Sequence, residues 1–225
     1  MSMSSSLNDL NRFTAVWSSF NIPPRLAQAS FEAYQPTCPE QEKALAKCRA
    51  YADAGLVNIQ EGRGIFLQGP VGTGKSHLAV ATLRSILENN LQEFGKPVNG
   101  EALVGEPIYE GMHCLMVSVV DLLGIIRESF SADNLKAPAR RLLHRARADA
   151  LVILDDIGAE KPSDWVEEQL YALIDLRYRM QRSTIFTTNC TLKQLENQIG
   201  SRAVSRIFEM CEGVKVKGSD WRKKS

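Results

Sequence analysis

The sequence predicts an α/β protein in which a five-stranded parallel sheet lies between two layers of helices. Short apolar runs alternate with amphipathic stretches along most of the chain, and this alternation is typical of parallel sheets. A glycine-rich loop follows the first apolar run, and paired carboxylates follow the third. Ligands of open α/β sheets bind at the carboxyl ends of the strands. We therefore expect a ligand site at that edge of the sheet.

Five apolar runs predict the strands, and periodic apolar residues between them predict the helices. The predicted strands are residues 64–68, 113–118, 150–154, 184–188 and 214–216. The predicted helices of this domain are residues 77–87, 119–130, 138–148, 165–180, 192–199 and 201–210. Since parallel strands need a crossover connection, each helix would return the chain to the start of the next strand.

Residues 1–21 are predicted to form a tail and a short amphipathic helix. The Ser-rich residues 1–6 are expected to be disordered, and apolar residues then recur at helical spacing until Ile22-Pro-Pro24 ends the pattern. The apolar face of this helix could dock on the core or bind a groove on another protein. Both interpretations stay open.

The remaining chain divides into a helical lead-in at residues 22–58, with a clear helix at residues 40–51, and a main domain at residues 59–225. Within the main domain, residues 92–111 contain repeated glycines and prolines. Such a segment predicts a long excursion between core elements, either a hairpin or a mobile loop.

Composition excludes several classes of protein. The 225 residues are 44% hydrophobic and 24% charged with a net charge of +1, so nucleic-acid binding would need a local basic patch. The five cysteines are scattered without a Cys-x-x-Cys motif, which favours free thiols in a reducing cytosol over a zinc site. The chain has neither a signal-peptide pattern nor an apolar stretch near the ~18 residues of a membrane span. We expect a cytoplasmic protein without membrane contact.

The glycine-rich loop, Gly69-Pro-Val-Gly-Thr-Gly-Lys-Ser76, matches the phosphate-binding pattern G-x-x-x-x-G-K-[ST]. Its glycines let backbone N–H groups approach phosphate oxygens closely. Lys75 would contact the outer phosphates, and the Ser76 hydroxyl would bind Mg²⁺. A chance match is improbable with a strand before the loop and a helix after it. The predicted nucleotide-binding residues are Gly69, Pro70, Val71, Gly72, Thr73, Gly74, Lys75, Ser76 and His77.

The paired carboxylates complete a predicted nucleoside-triphosphate site. Asp155 and Asp156 follow the buried run at residues 151–154, so Asp155 could hold Mg²⁺ through water and Asp156 could act as general base. An Asp-Asp pair alone would favour a solvated turn, but its place after a strand downstream of the loop favours the catalytic role. Asn189 ends the fourth strand, where it could orient the attacking water or simply cap a turn.

In this order the motifs resemble AAA+ ATPases of the DnaC/DnaI helicase-loader type, with the IstB transposition helpers as close relatives. The resemblance covers about residues 22–222, nearly the whole chain. Its motifs are Ile22-Pro-Pro, Ala29-Ser-Phe-Glu-Ala-Tyr34, Gly69-Pro-Val-Gly-Thr-Gly-Lys-Ser-His-Leu-Ala79, Leu154-Asp-Asp-Ile-Gly158, Thr187-Thr-Asn189, Gly200-Ser-Arg-Ala-Val-Ser-Arg-Ile207 and Asp220-Trp-Arg222. The resemblance implies a three-layer AAA+ P-loop sandwich, ATP or ADP with Mg²⁺, and ATP hydrolysis. Many AAA+ proteins also have a helical lid domain, but we expect no full C-terminal lid here because it would not fit in the three residues after Arg222.

The resemblance also implies roles for residues outside the loop. Asn189 is similar to the sensor-1 residue, and Arg222 to the sensor-2 arginine. Arg206 is similar to the arginine finger that reaches the γ-phosphate of a neighbouring subunit, with Arg202 as its companion. An arginine supplied in trans would couple hydrolysis to self-association, whereas the alternative is an exposed basic helix face. Asp156 stands where many AAA+ enzymes have Glu, so slow hydrolysis is expected.

Relatives of this type bind single-stranded DNA in the channel of a spiral assembly. An exposed aromatic can stack on a base, and arginines can follow the phosphates. The alternatives are aromatic residues in the core and a solvated or subunit-facing basic helix. The candidate residues are Phe130, Ser163, Trp165, Arg140 and Arg141, with Arg145 and Arg147 as further basic candidates.

The resemblance therefore predicts an ATP-dependent loader that binds a DnaB-type replicative helicase and single-stranded DNA. It would assemble into a nucleotide-dependent oligomer and use ATP binding and hydrolysis as a switch in DNA replication. One alternative is an IstB-like transposition helper that assembles on duplex DNA. Another is a nucleotide-gated adaptor with negligible turnover. The helix predicted at residues 7–20 would separate the first two, since only the loader would use it to bind a helicase.

Overall fold

The sheet and its strand order are those of a doubly wound α/β domain. A computed structural model describes residues 3–97, 109–218 and 220–221. The strands are β1 (Gly64–Gln68), β2 (Lys96–Pro97), β3 (Tyr109–Glu110), β4 (Cys114–Ser118), β5 (Leu151–Asp155), β6 (Ser183–Thr188) and β7 (Cys211–Lys215). Five of them pair in the order β4-β5-β6-β1-β7, and every pair is parallel. The predicted fold class, with its five-stranded parallel sheet, is confirmed.

Helices cover both faces of this sheet. They are α1 (Met3–Ser18), α2 (Pro39–Asp53), α3 (Gly55–Gln60), α4 (Lys75–Asn89), α5 (Val119–Glu128), α6 (Asp133–Ala148), α7 (Asp164–Arg179), α8 (Leu192–Ile199) and α9 (Ser201–Met210). Short 3₁₀ helices lie at Pro24–Leu26 and Leu91–Glu93. Alternate residues of β1 enter different cores: Ile65 and Leu67 join the one beneath α2 and α4, and Phe66 the one beneath α7 and α9.

Two helices depart from the prediction. Helix α6 begins at Asp133, five residues before the predicted start, and Pro138 lies inside it. Proline favours the first turn of a helix, so the prediction began there; in the second turn it costs the helix one backbone hydrogen bond. Helix α3 was not predicted because its six residues are too few to show helical periodicity.

Helix α1 begins at Met3, so the prediction of a disordered tail is wrong for residues 3–6. Its C-terminal half and the residues that follow it lie against the core: Val16 and Phe20 are buried, and Phe13 stacks on Trp17 with ring centroids 5.9 Å apart. Leu10 remains 60% exposed on the outer side. The apolar face of this helix could dock on the core or bind another protein, and its large aromatic residues dock on the core.

The segment after α1 continues onto the edge of the sheet. The backbone N–H of Met116 in β4 donates to the Phe20 carbonyl at 2.8 Å, and the Asn21 side-chain amide donates to the Met116 carbonyl at 3.0 Å. The Arg12 guanidinium donates to the carbonyls of Gln92 and Phe94 at 3.3 and 3.0 Å. The bonds to Met116 cover the edge strand β4, which would otherwise expose its backbone, and those of Arg12 fasten α1 to the segment after α4.

The predicted excursion at residues 92–111 has a hairpin base. Strands β2 and β3 pair antiparallel, and residues 98–108 between them lie outside the described part of the chain. None of the helices described here has the length and apolar character that a membrane crossing requires.

Candidate nucleotide site

A cavity of about 540 Å³ opens at the carboxyl ends of β1, β5 and β6. This is the edge at which the sequence predicted a ligand site. The lining residues come from the loop after β1, the ends of β5 and β6, the segment before α2 and the end of the described chain. They are Arg25, Leu26, Ala33, Tyr34, Gln35, Val71, Gly72, Gly74, Lys75, Ser76, His77, Asp155, Asp156, Thr187, Asn189 and Trp221.

The loop after β1 has the backbone shape that its glycines predicted. Gly72 and Gly74 have φ angles of 76° and 89°, which disfavour any residue with a Cβ. A Cβ at Gly74 would also lie 2.6 Å from the Tyr34 ring. The loop leads directly into α4, whose N-terminus faces the cavity and suits an anion. Six predicted loop residues line the cavity, while Gly69, Pro70 and Thr73 shape the loop behind it.

Lys75, Asn189 and Asp156 form a chain of side-chain contacts across the cavity. The Lys75 ammonium donates to the Pro70 carbonyl at 2.8 Å and to the Asn189 side-chain oxygen at 2.6 Å. The Asn189 amide nitrogen in turn donates to the Asp156 carboxylate. Asp156 has a φ angle of 58°, and this left-handed backbone turns its side chain back toward Asn189. The structure therefore brings together three predicted catalytic residues from three elements.

Ser76 and Asp155 meet at the predicted metal position. The Ser76 hydroxyl donates to Asp155 Oδ1 at 2.7 Å, and the Thr187 hydroxyl donates to the same oxygen at 2.7 Å. Thr187 also accepts from the Asp156 backbone N–H at 2.8 Å, so it fixes both carboxylates. These oxygen atoms suit Mg²⁺, which keeps most of its waters and takes few protein ligands. Among the described residues, no group of three or more His, Cys, Asp or Glu could hold a metal.

The far end of the cavity is lined by rings that sequence reasoning did not assign to the site. The Tyr34 hydroxyl donates to the Thr73 carbonyl at 3.1 Å, and its ring lies 5.5 Å from that of His77. Burial raises the pKa of Tyr34 to about 12, so this hydroxyl stays protonated. Trp221 also lines the cavity, and its backbone N–H donates to the Gly72 carbonyl at 3.1 Å. Arg222, the predicted sensor-2 residue, lies outside the described residues.

Glu160 is a buried carboxyl next to the site that the sequence analysis missed. Both of its oxygens accept from the Gly158 N–H at 3.2 Å. Burial is the main cause that raises the pKa of Glu160, and the charge of Asp156 raises it further. The signal that the sequence offered was the position of Glu160, two residues after Gly158. The structure shows that Gly158 has a φ angle of 89°.

Arg202 and Arg206 do not line this cavity. Both lie on α9, where Arg202 is exposed and Arg206 is half-buried against α7. The Arg206 guanidinium donates from Nε to Asp175 at 3.3 Å. The structure thus places neither arginine at the nucleotide site of its own chain.

The aromatic DNA candidates form a small surface cluster. Phe130 is 70% exposed, so it is not a core residue, and it packs edge-on against Trp165 with centroids 6.5 Å apart. The Arg127 guanidinium lies over the Trp165 ring, 4.9 Å from its centroid. Ser163 is the N-cap of α7, where its hydroxyl accepts from the Val166 N–H, which gives it a structural role.

The basic candidates on α6 divide into two kinds. Arg140 and Arg141 are exposed, whereas Arg147 is half-buried. Arg145, a further basic candidate for DNA phosphates, instead donates within the chain to the carbonyls of Ser19 and Cys114 at 2.9 and 2.5 Å. It also pairs with Asp149 at 3.0 Å, so it fastens α1 and α6 to the sheet edge. Helical periodicity alone could not separate this inward-facing arginine from its neighbours.

Comparisons with known proteins identify the family and the fold. A family model described as IstB-like ATP binding protein matches residues 93–225. The replicative helicase loader DnaC of Escherichia coli strain K12 is 26% identical over 207 residues, which cover 91% of this chain and 74% of that protein. A crystal structure of the DnaC helicase loader superposes with a TM-score of 0.68 and 29% identity, and covers 87% of this chain and 100% of that one.

A crystal structure of DnaI has a TM-score of 0.65 at 18% identity, covering 89% of this chain and 94% of that one, and so supports the fold alone. The predicted resemblance is confirmed by these matches. They do not test the roles of single residues, which therefore depend on the geometry described above.

Proposed function

The chain belongs to the family of IstB-like ATP-binding proteins, and from this premise we propose that it is an ATPase that loads a replicative DNA helicase. In this proposal it binds a DnaB-type helicase and single-stranded DNA, and ATP binding and hydrolysis control its assembly. The matched relatives that carry the name of replicative helicase loader support the coarse role. The proposals of ATP hydrolysis, DNA binding and self-association are argued below from residues of this chain.

The proposed ATPase activity is supported mainly by the chain of hydrogen bonds from Lys75 through Asn189 to Asp156. Lys75 would bind the outer phosphates, because its ammonium already points into the cavity beside the loop. Asp156 would accept the proton of the attacking water as general base, and Asn189 would orient that water. The Ser76 hydroxyl and the Asp155 carboxylate would hold Mg²⁺. When bound, the ion would neutralise phosphate charge.

The DNA-binding part of the proposal depends on the cluster of Phe130, Trp165 and Arg127. Phe130 offers a free ring face at the surface, and the Arg127 guanidinium brings a positive charge beside it. Stacking on such a ring tolerates any base, as a loader of single-stranded DNA would need. Arg140 and Arg141 extend the positive surface along α6.

Self-association is proposed because Arg206 lies away from the cavity of its own chain. An arginine on the outer surface can neutralise the transition state only in the site of a second copy. The proposal therefore treats Arg206 as the arginine supplied in trans, with Arg202 beside it on α9. Hydrolysis would then require assembled subunits.

The test is the ATPase rate per subunit, measured against protein concentration with and without single-stranded DNA, for the wild type and Arg206→Ala. We expect a rate that climbs with concentration and with DNA, and that falls by about a thousandfold in Arg206→Ala. A flat rate near background in the wild type would contradict the proposed ATPase and favour a nucleotide-gated adaptor. A concentration-dependent rate that Arg206→Ala leaves unchanged would contradict only the role of Arg206.

A transposition helper is the second candidate, since the matched family model bears the name of IstB-like proteins. Such a protein would assemble on duplex DNA and would not need a helicase. Because Val16 and Phe20 are buried, deletion of α1 would disturb the core, so Leu10→Asp on its exposed side is the cleaner variant. Binding to a purified DnaB-type hexamer that Leu10→Asp weakens would support the loader. Binding to duplex DNA but to no helicase would favour the helper.

A further inference from the structure

A polar network on the surface formed by α7 and α9 holds the Arg206 side chain. The Arg206 Nε donates to Asp175 Oδ1 at 3.3 Å, and Nη1 lies 3.5 Å from the Glu209 carboxylate. The Tyr178 ring lies under the guanidinium, with its centroid 4.5 Å from Arg206 Cζ. The Tyr178 hydroxyl also donates to Glu209 at 2.5 Å. An arginine with these contacts cannot rotate freely on its flexible stem.

Asp175 is the centre of this network. Its second carboxylate oxygen accepts from Arg179 Nε at 2.7 Å, so each oxygen holds a different arginine. The Asp175 side chain is only 16% exposed, compared with 47% for Glu209. The hydrogen bond from Arg179, opposed by partial burial and joined by the bond from Arg206, lowers the pKa of the Asp175 carboxyl. Asp175 is therefore a charged and well-placed anchor.

The backbone that carries Asp175 is itself fixed. Two residues along α7, the fully buried Arg177 donates to the carbonyls of Ala146 and Ser183 at 2.9 and 2.6 Å. These bonds tie the C-terminal end of α7 to β6 and to the end of α6. A carboxylate on such a support can set the direction of a neighbouring side chain to within the tolerance that catalysis requires.

The contacts also divide the guanidinium into two edges. Asp175 takes the Nε edge, next to the stem, and the longer contact with the more exposed Glu209 takes Nη1. A phosphate binds well to two parallel N–H groups of a guanidinium, and the outer edge can supply them while Nε is held by Asp175. A second copy of the chain could therefore take over the outer edge while Asp175 keeps its own bond.

We propose that Asp175 is a positioning residue for Arg206, and that it aims the guanidinium at the nucleotide bound by a second copy of this chain. The inference rests on the proposed function, since Arg206 must act in trans for its direction to matter. Asp175 does not touch the nucleotide in this proposal; it acts through Arg206. The α7–α9 surface would then face the nucleotide cavity of the neighbouring subunit.

The experiment mixes two inactive full-length variants. Lys75→Ala lacks its own phosphate contact but can still donate Arg206, and Arg206→Ala keeps an intact nucleotide site. If the arginine acts in trans, an equimolar mixture recovers ATPase activity that neither variant has alone. Asp175→Asn is then added either to the subunit that donates Arg206 or to the subunit that supplies the nucleotide site.

We expect Asp175→Asn in the donor subunit to lower the recovered rate by roughly ten- to a hundredfold without changing the KM for ATP. In the Arg206→Ala subunit the same substitution has no arginine to orient, so the recovered rate should hardly change. Arg179→Ala in the donor subunit is the matched control. It removes the other partner of Asp175 and should leave the rate within about twofold, because exposed ion pairs contribute little.

The possible results distinguish the positioning role of Asp175 from the action of Arg206 in trans, on which that role depends. An equal loss with Asp175→Asn in either subunit would mean a general structural role and would overturn the inference alone. A full recovered rate with the substitution in the donor subunit would also overturn it. No recovery in the original mixture, with both variants binding each other at the wild-type level, would overturn action in trans altogether. Thermal unfolding of Asp175→Asn checks that the variant remains folded.

Discussion

Two regions of the molecule carry its proposed chemistry, and they differ in what they contact. At the nucleotide edge, Lys75, Asn189 and Asp156 come from three elements and bond to one another. On the α7–α9 surface, Arg206 donates a hydrogen bond to Asp175. The first network encloses a cavity in its own chain, whereas the second faces outward.

The difference indicates which region can act in an isolated subunit. The nucleotide edge has its phosphate loop, the proposed metal position and the proposed general base within one chain, so we expect it to bind nucleotide alone. The α7–α9 surface holds an oriented cation, Arg206, which does not line the nucleotide cavity of its own chain, so under the proposal its effect would appear only in an assembly. Binding and hydrolysis should therefore depend on different regions and respond differently to concentration.

Lys75→Ala should have the largest effect, because it removes the charge that the phosphates would contact in the same chain. We expect a loss of nucleotide affinity, and of ATPase activity by about a thousandfold or more, at every protein concentration. Fluorescent-nucleotide titration and ATP hydrolysis measure the two quantities. Arg206→Ala is the comparison variant and should bind nucleotide as the wild type does. Equal loss of nucleotide binding in both variants would contradict the expectation that binding depends on the nucleotide edge and not on the α7–α9 surface.

Asp156→Asn should separate binding from hydrolysis within the nucleotide edge. The amide keeps the size of the side chain but cannot accept a proton from water, so we expect hydrolysis to fall about a hundredfold or more. Nucleotide affinity should stay near the wild-type value, because Lys75 and Ser76 remain. Titration and hydrolysis assays on the same preparation measure both. If hydrolysis persists at the wild-type rate, Asp156 is not the base.

Arg177→Leu tests the support beneath the α7–α9 surface. The buried guanidinium, whose pKa burial lowers to about 9, donates to Thr184, Ala146, Asp149 and Ser183. Its removal deprives these buried oxygens of a charged donor, so we expect the free energy of unfolding to fall by about 3 kcal/mol or more. Urea denaturation gives that quantity.

Arg179→Ala is the control for this variant, since Arg179 lies two residues further along α7 with a 64% exposed side chain. Its free energy of unfolding should change by no more than about 0.5 kcal/mol. Similar losses in the two variants would mean that burial does not distinguish the two arginines, and that the support of Asp175 is not specific to Arg177.

The sequence was sufficient to find the five strands of the main sheet, although β7 begins at Cys211 and not at the predicted residue 214, and to bring several polar residues to the nucleotide edge. Residues that line up at strand ends are predictable because parallel strands finish at one edge, so Asp155 and Asn189 could be placed near Lys75. The loop glycines were also predictable, since their backbone angles exclude other residues. Tyr34 and Trp221 were not, because they reach the cavity from segments without a periodic pattern.

The α7–α9 network was harder to predict. The partner of Arg206 lies 31 residues earlier in the chain, on another helix, and sequence spacing alone does not indicate such a pair. Inward-facing arginines have the same difficulty: Arg145 and Arg177 bond to backbone carbonyls, which every residue type supplies. Only the packing of helices identifies which arginines face inward.

The smallest effect is expected from Glu160, the buried carboxyl beside Asp156. Its pKa in the folded chain is raised above the ordinary value of 4.5, mainly by burial, so between these two values the folded chain binds more protons than the unfolded one. The contribution of Glu160 to stability is therefore greatest below pH 4.5, and it is lost as the pH rises through the folded pKa. Glu160→Gln removes this titration.

The stability of Glu160→Gln relative to the wild type should rise with pH over that window and then level off. Denaturant unfolding between pH 4 and 7 measures this difference. The same rise with the exposed Glu196→Gln would indicate net charge as the cause. Because the charge of Asp156 also raises the pKa of Glu160, Asp156→Asn should narrow the window. A window that Asp156→Asn leaves unchanged would mean that Glu160 responds to burial alone and belongs to the core.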